Sequence, residues 1–201
     1  MNQILSGKSI LLIIYIKDFL NSVEFFYKIR DLLPFPCLKM IYFSFVYTHL
    51  AYCVEVYANT YNSHLQKLST LNNKIIRILF SKHSRTHVKD LYCIIDSLPL
   101  FKLHEFAILK FVHKCLFNQV EMPSIFAGYF SLSKLSVRYN SRRQNDLYIN
   151  QSNTKYGRKC LKTKACVLWN SLTEEVKSIS VHSLFCKSIK KKLMSTTEDD
   201  G

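Results

Sequence analysis

Turn-forming residues are scarce in this sequence. It holds 4 glycines and 4 prolines among 201 residues, roughly a third of the usual share of about 12%. Multi-stranded sandwiches and glycine-rich nucleotide-binding folds need many more turn residues, so both are excluded and helix is favoured. Apolar residues make up 48% of the chain and charged residues 21%, which excludes a disordered or fibrous protein.

Acidic residues are also few, 14 against 28 lysines and arginines, and the formal net charge is +14. Such an excess indicates a polyanionic partner, with nucleic acid more plausible than a membrane surface. Nucleotidyl transfer needs acidic side chains that converge on two metal ions. No two acids before Pro123 are placed to do so. We therefore expect no catalysis by this chain alone.

The seven cysteines include no CxxC pair, and an odd number cannot all form disulfides with one another. We interpret them as reduced, buried thiols of a nuclear or cytoplasmic protein. His83 and His87 have the spacing of metal ligands on a helix, with Cys93 nearby. No second ligand pair accompanies them, so the sequence predicts neither a metal site nor a cofactor.

Apolar periodicity predicts a mainly α protein. The predicted helices cover about residues 9–33, 36–58, 61–80, 87–96, 98–119, 163–172 and 181–194. Residues 146–150 alternate like a short strand, and we expect residues 158–162 to pair with them. The predicted fold class is thus a helical bundle with a small C-terminal β-hairpin and flanking helices.

Residues 40–58 are the best candidate for a membrane span, because Glu55 is their only formal charge. Six aromatic residues and His49 make the segment a poor lipid-facing helix. We therefore expect a buried core helix and no membrane partner. Trp169, the only tryptophan, lies on an apolar helix pattern and is predicted to be a core anchor rather than a platform for a base.

Basic residues concentrate in residues 134–164. This range holds nine lysines and arginines and one acid, Asp146, so it carries 9 − 1 = +8 of the total charge. Tyr139, Tyr148 and Tyr156 lie among them. Basic groups interleaved with aromatic rings suit an RNA or DNA backbone, with rings available to unpaired bases. An ordinary solvated loop remains the alternative.

Four segments resemble a known family. FFYKIRDLLP (25–34) and HLAYCVEVYANTYNSHLQKLSTLNNKIIRIL (49–79) are followed by LYCIIDSLPLFKLHEFAILKFVHKCLFNQ (91–119) and KYGRKCLKTKACVLWNSLTEEV (155–176). In this order they are similar to the C-terminal part of non-LTR retrotransposon reverse transcriptases, of the LINE-type, jockey-like group. The family usually has Pro-Asp or Pro-Glu where Thr173-Glu174 stands here.

The resemblance implies a function. Residues 17–80 would correspond to the polymerase thumb and residues 85–194 to a C-terminal extension that binds element RNA or target DNA. The family is an RNA-directed DNA polymerase, but the palm with its catalytic aspartates has no counterpart here, so we expect a catalytically inactive remnant of a mobile element.

The predicted organisation has five parts. Residues 1–16 are unassigned, 17–120 form a helical thumb-like region, 121–145 a linker, 146–194 a basic C-terminal region and 195–201 a disordered tail. The nucleic-acid-binding residues expected from the resemblance and the charge are Arg138, Arg142, Arg143, Lys155, Tyr156, Arg158, Lys159, Lys162 and Lys164. No small-molecule substrate is expected. The alternative hypothesis is a free-standing helical interaction or scaffold protein with a basic surface.

Overall fold

The computed structural model describes residues 2–60, 62–118, 120, 122–132, 146–150, 153–158 and 160–195, with the backbone alone at 2–15, 64, 155 and 156. The chain divides between residues 104 and 105 into two compact units. The described residues are mainly helical, which confirms the predicted class.

The described residues of the first unit form helices joined by turns. The helices are α1 (Asn2–Ile29), α2 (Phe35–Ile41), a π-helical turn (Tyr42–Tyr47), α3 (Thr48–Ala51), α4 (Val54–Tyr57), α5 (Asn62–Leu79) and α6 (Lys89–Ile95). Phe19, Val23 and Phe26 of α1 are buried at helical spacing, and α1 packs along α5. Amphipathic spacing thus explains the largest packing contact of this unit.

A row of buried side chains runs through residues 38–54 at intervals of four: Leu38, Tyr42, Val46, Leu50 and Val54. In a regular α-helix a spacing of four rotates away from one face by about 40° per step. The π-helical turn at Tyr42–Tyr47 advances less per residue and reduces this drift. One side of the segment is therefore buried in the core, but the segment is not the single buried helix that was predicted: the helix breaks at Tyr52 and Cys53, where Cys53 has a φ of 53°, and Phe45 is 64% exposed. No helix in the described part of the chain is long and apolar enough to cross a membrane.

A hydrogen-bond network fixes the centre of the first unit. The Tyr42 hydroxyl donates to Asn72 Oδ1 at 3.3 Å, and Asn72 Nδ2 donates to the Tyr92 hydroxyl at 2.7 Å. The Tyr92 hydroxyl donates in turn to Asn73 Oδ1 at 2.8 Å. Burial raises the pKa of Tyr42 to about 12, so its hydroxyl stays protonated and can donate at neutral pH.

Among its described residues the second unit contains the end of α7 (Leu100–Phe117), a 3-10 turn at Ser124–Phe126, and four further helices. These are α8 (Lys155–Arg158), α9 (Leu161–Asn170), α10 (Glu174–Lys177) and α11 (His182–Ser195). Trp169, Phe185 and Ile189 are buried in its core. Trp169 is therefore a core anchor, as predicted.

The predicted β-hairpin is wrong. Leu147 makes a single antiparallel bridge, to Leu132, and the described residues around 158–162 belong to α8 and α9. The Asn170 side chain takes the place of the expected partner strand. Asn170 Oδ1 accepts the Leu147 N–H at 2.8 Å, and Asn170 Nδ2 donates to the Leu147 carbonyl at 2.9 Å. Because both backbone groups of Leu147 are already satisfied, no partner strand is needed there.

Candidate nucleic-acid interface

Hydrogen bonds at Gly157 hold α8, which carries Arg158, against the start of α9, which carries Lys162. The Gly157 N–H donates to Thr154 Oγ1 at 3.1 Å, and Thr163 Oγ1 donates to the Gly157 carbonyl at 3.0 Å. These bonds tie the start of α9 to α8. Arg158, at the end of α8, is exposed, so its guanidinium is available to a phosphate.

Two lysines of α9 have different surroundings. Residues advance about 100° each around a helix, so Lys162 lies near the buried side of α9, which carries Cys166 and Trp169. Its ammonium lies 5.1 Å from the centre of the Tyr129 ring, an attractive cation–π contact. Lys164 is roughly 140° from Trp169 around the helix and is half-buried. Lys164 therefore lies on the opposite side of α9 from the core.

Cys160 precedes the first turn of α9 and is exposed. Burial by itself raises the pKa of the Cys160 thiol. Two neighbouring residues outweigh this effect, and the pKa of Cys160 is lowered from its usual value of 9.0. Thr163 contributes its backbone N–H and its hydroxyl, which lies 3.7 Å from the Cys160 sulfur, and Lys162 contributes its backbone N–H and its charge. A thiolate at this position is stabilised by the helix N-terminus and by a neighbouring cation.

Three of the predicted binding residues have described side chains: Arg158, Lys162 and Lys164. They are close in the chain, at the end of α8 and in the first turn of α9, but Lys162 and Lys164 lie on different sides of α9. Lys155 and Tyr156 belong to α8, but their side chains lie outside the description. The remaining four lie outside the described residues altogether: Arg138, Arg142, Arg143 and Lys159.

Asp146, the one acid of the basic range, is neutralised by a lysine from outside that range. Lys177 Nζ lies 2.8 Å from Asp146 Oδ1 and 2.9 Å from Glu174 Oε1, and the Lys177 and Asp146 side chains are 6% and 12% exposed. Burial lowers the pKa of Lys177, but the two carboxylates outweigh it and raise the pKa overall. Asp146 therefore offsets little of the positive charge of its neighbours.

A chain of hydrogen bonds joins α7 to α11. His113 Nε2 lies 2.8 Å from the Ile179 carbonyl oxygen, His113 Nδ1 lies 3.1 Å from His182 Nδ1, and His182 Nε2 lies 3.4 Å from Cys186 Sγ. Since a carbonyl only accepts, His113 Nε2–H donates to it. His182 Nδ1–H then donates to His113, and the Cys186 thiol donates to His182. Burial raises the pKa of Cys186, which keeps that donor protonated.

A pocket of about 340 Å³ opens in the second unit. Its apolar wall is formed by Leu116, Phe117, Leu132 and Trp169. Its polar side is formed by Glu174, Lys177 and Ser178. The volume falls at the lower end of the range for small-ligand pockets.

Sequence reasoning missed both the pocket and the histidine pair, because their members are far apart in the chain. His113 and His182 are separated by 69 residues, and Lys177 and Asp146 by 31. One signal was present: Trp169-Asn170 belongs to the segment that carries the family resemblance. In the structure Trp169 is buried in the core, and the Asn170 side chain makes hydrogen bonds to the backbone of Leu147.

In the part of the chain that the structure describes, no group of three or more histidine, cysteine or acidic side chains is arranged so that it could hold a metal ion. Comparison with known proteins adds no assignment. No family model matches the chain, and searches of the curated proteins and of the solved structures each found no match.

Proposed function

We propose that this chain is the C-terminal, thumb-plus-extension part of a non-LTR retrotransposon reverse transcriptase, and that it binds RNA or DNA backbones without catalysing polymerisation. The observation that carries the binding proposal is the concentration of nine basic residues against one acid in residues 134–164. The order of the four family-like segments supports the assignment to a reverse transcriptase.

Two features of the described residues support phosphate binding. Arg158 is exposed and its backbone is fixed by the Gly157 turn, so little conformational entropy is lost at the backbone when it binds. Asp146 is held by Lys177, so the one acid within residues 134–164 does not compete with phosphate. Contacts of this kind position a nucleic acid and carry no sequence preference.

The test is a pair of variants with equal change in net charge. The first replaces Arg142, Arg143, Arg158 and Lys159 by Gln. The control replaces Lys187, Lys190, Lys191 and Lys192 of α11 by Gln. Each phosphate contact contributes about 1 to the slope of log affinity against log salt. The first variant should lower the slope by about 4, and the control should leave it nearly unchanged.

The alternative, a helical interaction protein, is favoured by exposed apolar side chains of the first unit. Met40 and Phe45 are each 64% exposed, and Tyr52 is 69% exposed. Contiguous exposed patches of large apolar residues are typical of protein-binding surfaces. Equal salt slopes for the two glutamine variants, together with retained binding of a protein partner, would support this alternative and contradict the proposal.

A further inference from the structure

Three stacked rings cross the second unit between α7 and α11. His113 lies between Phe185, with ring centres 4.2 Å apart and planes at 26°, and Phe117, with ring centres 4.7 Å apart and planes at 29°. Phe185 is fully buried, whereas Phe117 is 43% exposed. The stack therefore ends in an accessible aromatic ring.

This ring lines the 340 Å³ pocket beside Trp169. Trp169 is 2% exposed and packs against Phe185 with ring centres 5.7 Å apart, so it forms a fixed wall rather than a mobile platform. Phe117 is thus the ring on which a planar ligand can continue the stack. Offset stacking of this kind is favourable beyond the burial of the two rings.

The polar side of the pocket does not suit a phosphate. The Lys177 ammonium already contacts two carboxylates, Asp146 and Glu174, at 2.8 and 2.9 Å. Two carboxylates and one ammonium leave a net negative charge, which repels an anion. A neutral heterocycle with N–H donors fits better, because carboxylate oxygens accept hydrogen bonds from amino groups such as that of cytosine.

We propose that the pocket holds a single unstacked nucleobase of a bound RNA or single-stranded DNA, stacked on Phe117 with its amino edge towards Glu174. This inference rests on the proposed function, since the basic residues supply the affinity for the backbone. Bases splayed out of single strands and stacked on aromatic side chains are a common mode of recognition. The pocket then holds the base, and the basic residues of 134–164 hold the phosphate backbone.

The experiment uses the full chain and free nucleosides. Trp169 is the only tryptophan and lines the pocket, so its fluorescence reports occupancy directly. Cytidine and adenosine should quench it to saturation, with the same affinity at about 50 and 200 mM salt, because neutral ligands release no counterions. Uridine, which has no amino group, should bind several-fold more weakly, and ribose should have no effect.

Phe117→Leu keeps an apolar side chain of similar size and removes the ring. It should weaken cytidine binding about tenfold, because stacking on an aromatic side chain contributes much of the affinity for an unpaired base. Phe25→Leu is the matched control, since Phe25 is 47% exposed and does not line the pocket. Unfolding midpoints of both variants show whether they are folded. If Phe117→Leu does not fold, the wild-type titrations still decide the question.

The outcomes separate the inference from the function on which it rests. If an oligonucleotide binds with steep salt dependence but no nucleoside alters Trp169 fluorescence, the base pocket is wrong and the proposed function stands. If nucleosides quench Trp169 but no oligonucleotide binds, the proposed function is wrong, and so is the claim that the base belongs to a nucleic acid. Equal affinities of Phe117→Leu and Phe25→Leu for cytidine would also overturn the inference.

Discussion

His182 Nδ1 lies 3.1 Å from His113 Nδ1, and only one proton can occupy that contact. The Ile179 carbonyl accepts the only ring N–H of neutral His113, at 2.8 Å, so His113 Nδ1 is the acceptor of the contact and the pair is complete when both rings are neutral. A further proton on His113 would face the His182 Nδ1–H, and the bond could form again only if His182 moved its proton to Nε2 and gave up the Cys186 thiol as a donor. The contact therefore couples the packing of α7 and α11 to pH.

A fall in pH should destabilise the second unit through the contact between His113 and His182. Burial lowers the pKa of His113 below its usual 6.5, and the hydrogen bond to Ile179 raises it only in part. The unfolded chain then binds the proton more readily than the folded chain, so the free energy of unfolding is largest above about pH 6.5 and falls as the pH drops below it. Urea unfolding at about pH 7.5 and 5.5 measures this dependence.

His113→Leu should remove that part of the pH dependence. It should also cost about 1–3 kcal/mol at neutral pH, because the Ile179 carbonyl and the His182 N–H lose their partner. His83→Gln, at an exposed histidine, is the control and should change neither quantity. A His113→Leu protein that keeps the full acid sensitivity of the wild type would contradict the account.

The buried pair of Lys177 and Asp146 should be costly to break from one side. Lys177→Met leaves the Asp146 carboxylate buried without its cation, and removal of one partner of such a pair typically costs about 3–5 kcal/mol. The double variant Lys177→Met, Asp146→Asn should recover part of that loss. Glu174→Gln should cost less than about 1 kcal/mol, because the Glu174 side chain is 65% exposed and water screens its charge.

Denaturant unfolding of these three variants measures the differences. A double variant less stable than Lys177→Met alone would show that the unpaired charge is not the cause of the loss.

Asn170 should be sensitive to small changes because it replaces a strand partner for Leu147. Asn170→Ala removes both hydrogen bonds to a buried backbone segment and should cost about 1–3 kcal/mol. Asn170→Asp restores the acceptor but places a second oxygen opposite the Leu147 carbonyl, so it should be no better. Asn153→Ala, at an exposed position, should change stability by less than about 0.5 kcal/mol.

Hydrogen exchange of the Leu147 amide gives a second measurement. Strong protection that persists in Asn170→Ala would contradict the role of the side chain.

Cys160 should be the most reactive of the exposed cysteines. Cys53, Cys93 and Cys160 are all exposed, but the contacts from Thr163 and Lys162 lower the pKa of Cys160 although burial opposes them. The thiolate is the species that reacts with iodoacetamide, so peptide mapping at neutral pH should find Cys160 modified first. Thr163→Val, which removes the hydroxyl and keeps the branched shape, should slow the reaction of Cys160 and leave Cys93 unchanged.

Local patterns predicted most of the helices but not the C-terminal region in detail. Apolar spacing identifies α5 and α7 because both bury one face along their length. The alternation at residues 146–150 predicted a strand partner, and its failure has a specific cause: Asn170, far along the chain, satisfies Leu147. Sequence pattern cannot show which distant side chain takes the place of a neighbouring strand.

Only part of the candidate site could likewise be predicted from the sequence. Charge is a local property, so the basic range and Arg158 could be identified from the sequence. The pocket combines Phe117 of α7 with Glu174 and Lys177 of α10, and the Lys177–Asp146 pair spans 31 residues. Only the folded chain brings these groups together, and no periodicity or motif marks them in advance.

The most direct test of the central claim is the salt dependence of binding of the wild-type chain to single-stranded RNA and DNA. If six or more phosphates are contacted, affinity should fall by about a thousandfold or more between 50 and 200 mM salt, on a straight line of log affinity against log salt. Weak binding to both nucleic acids that hardly changes over this range would contradict the claim.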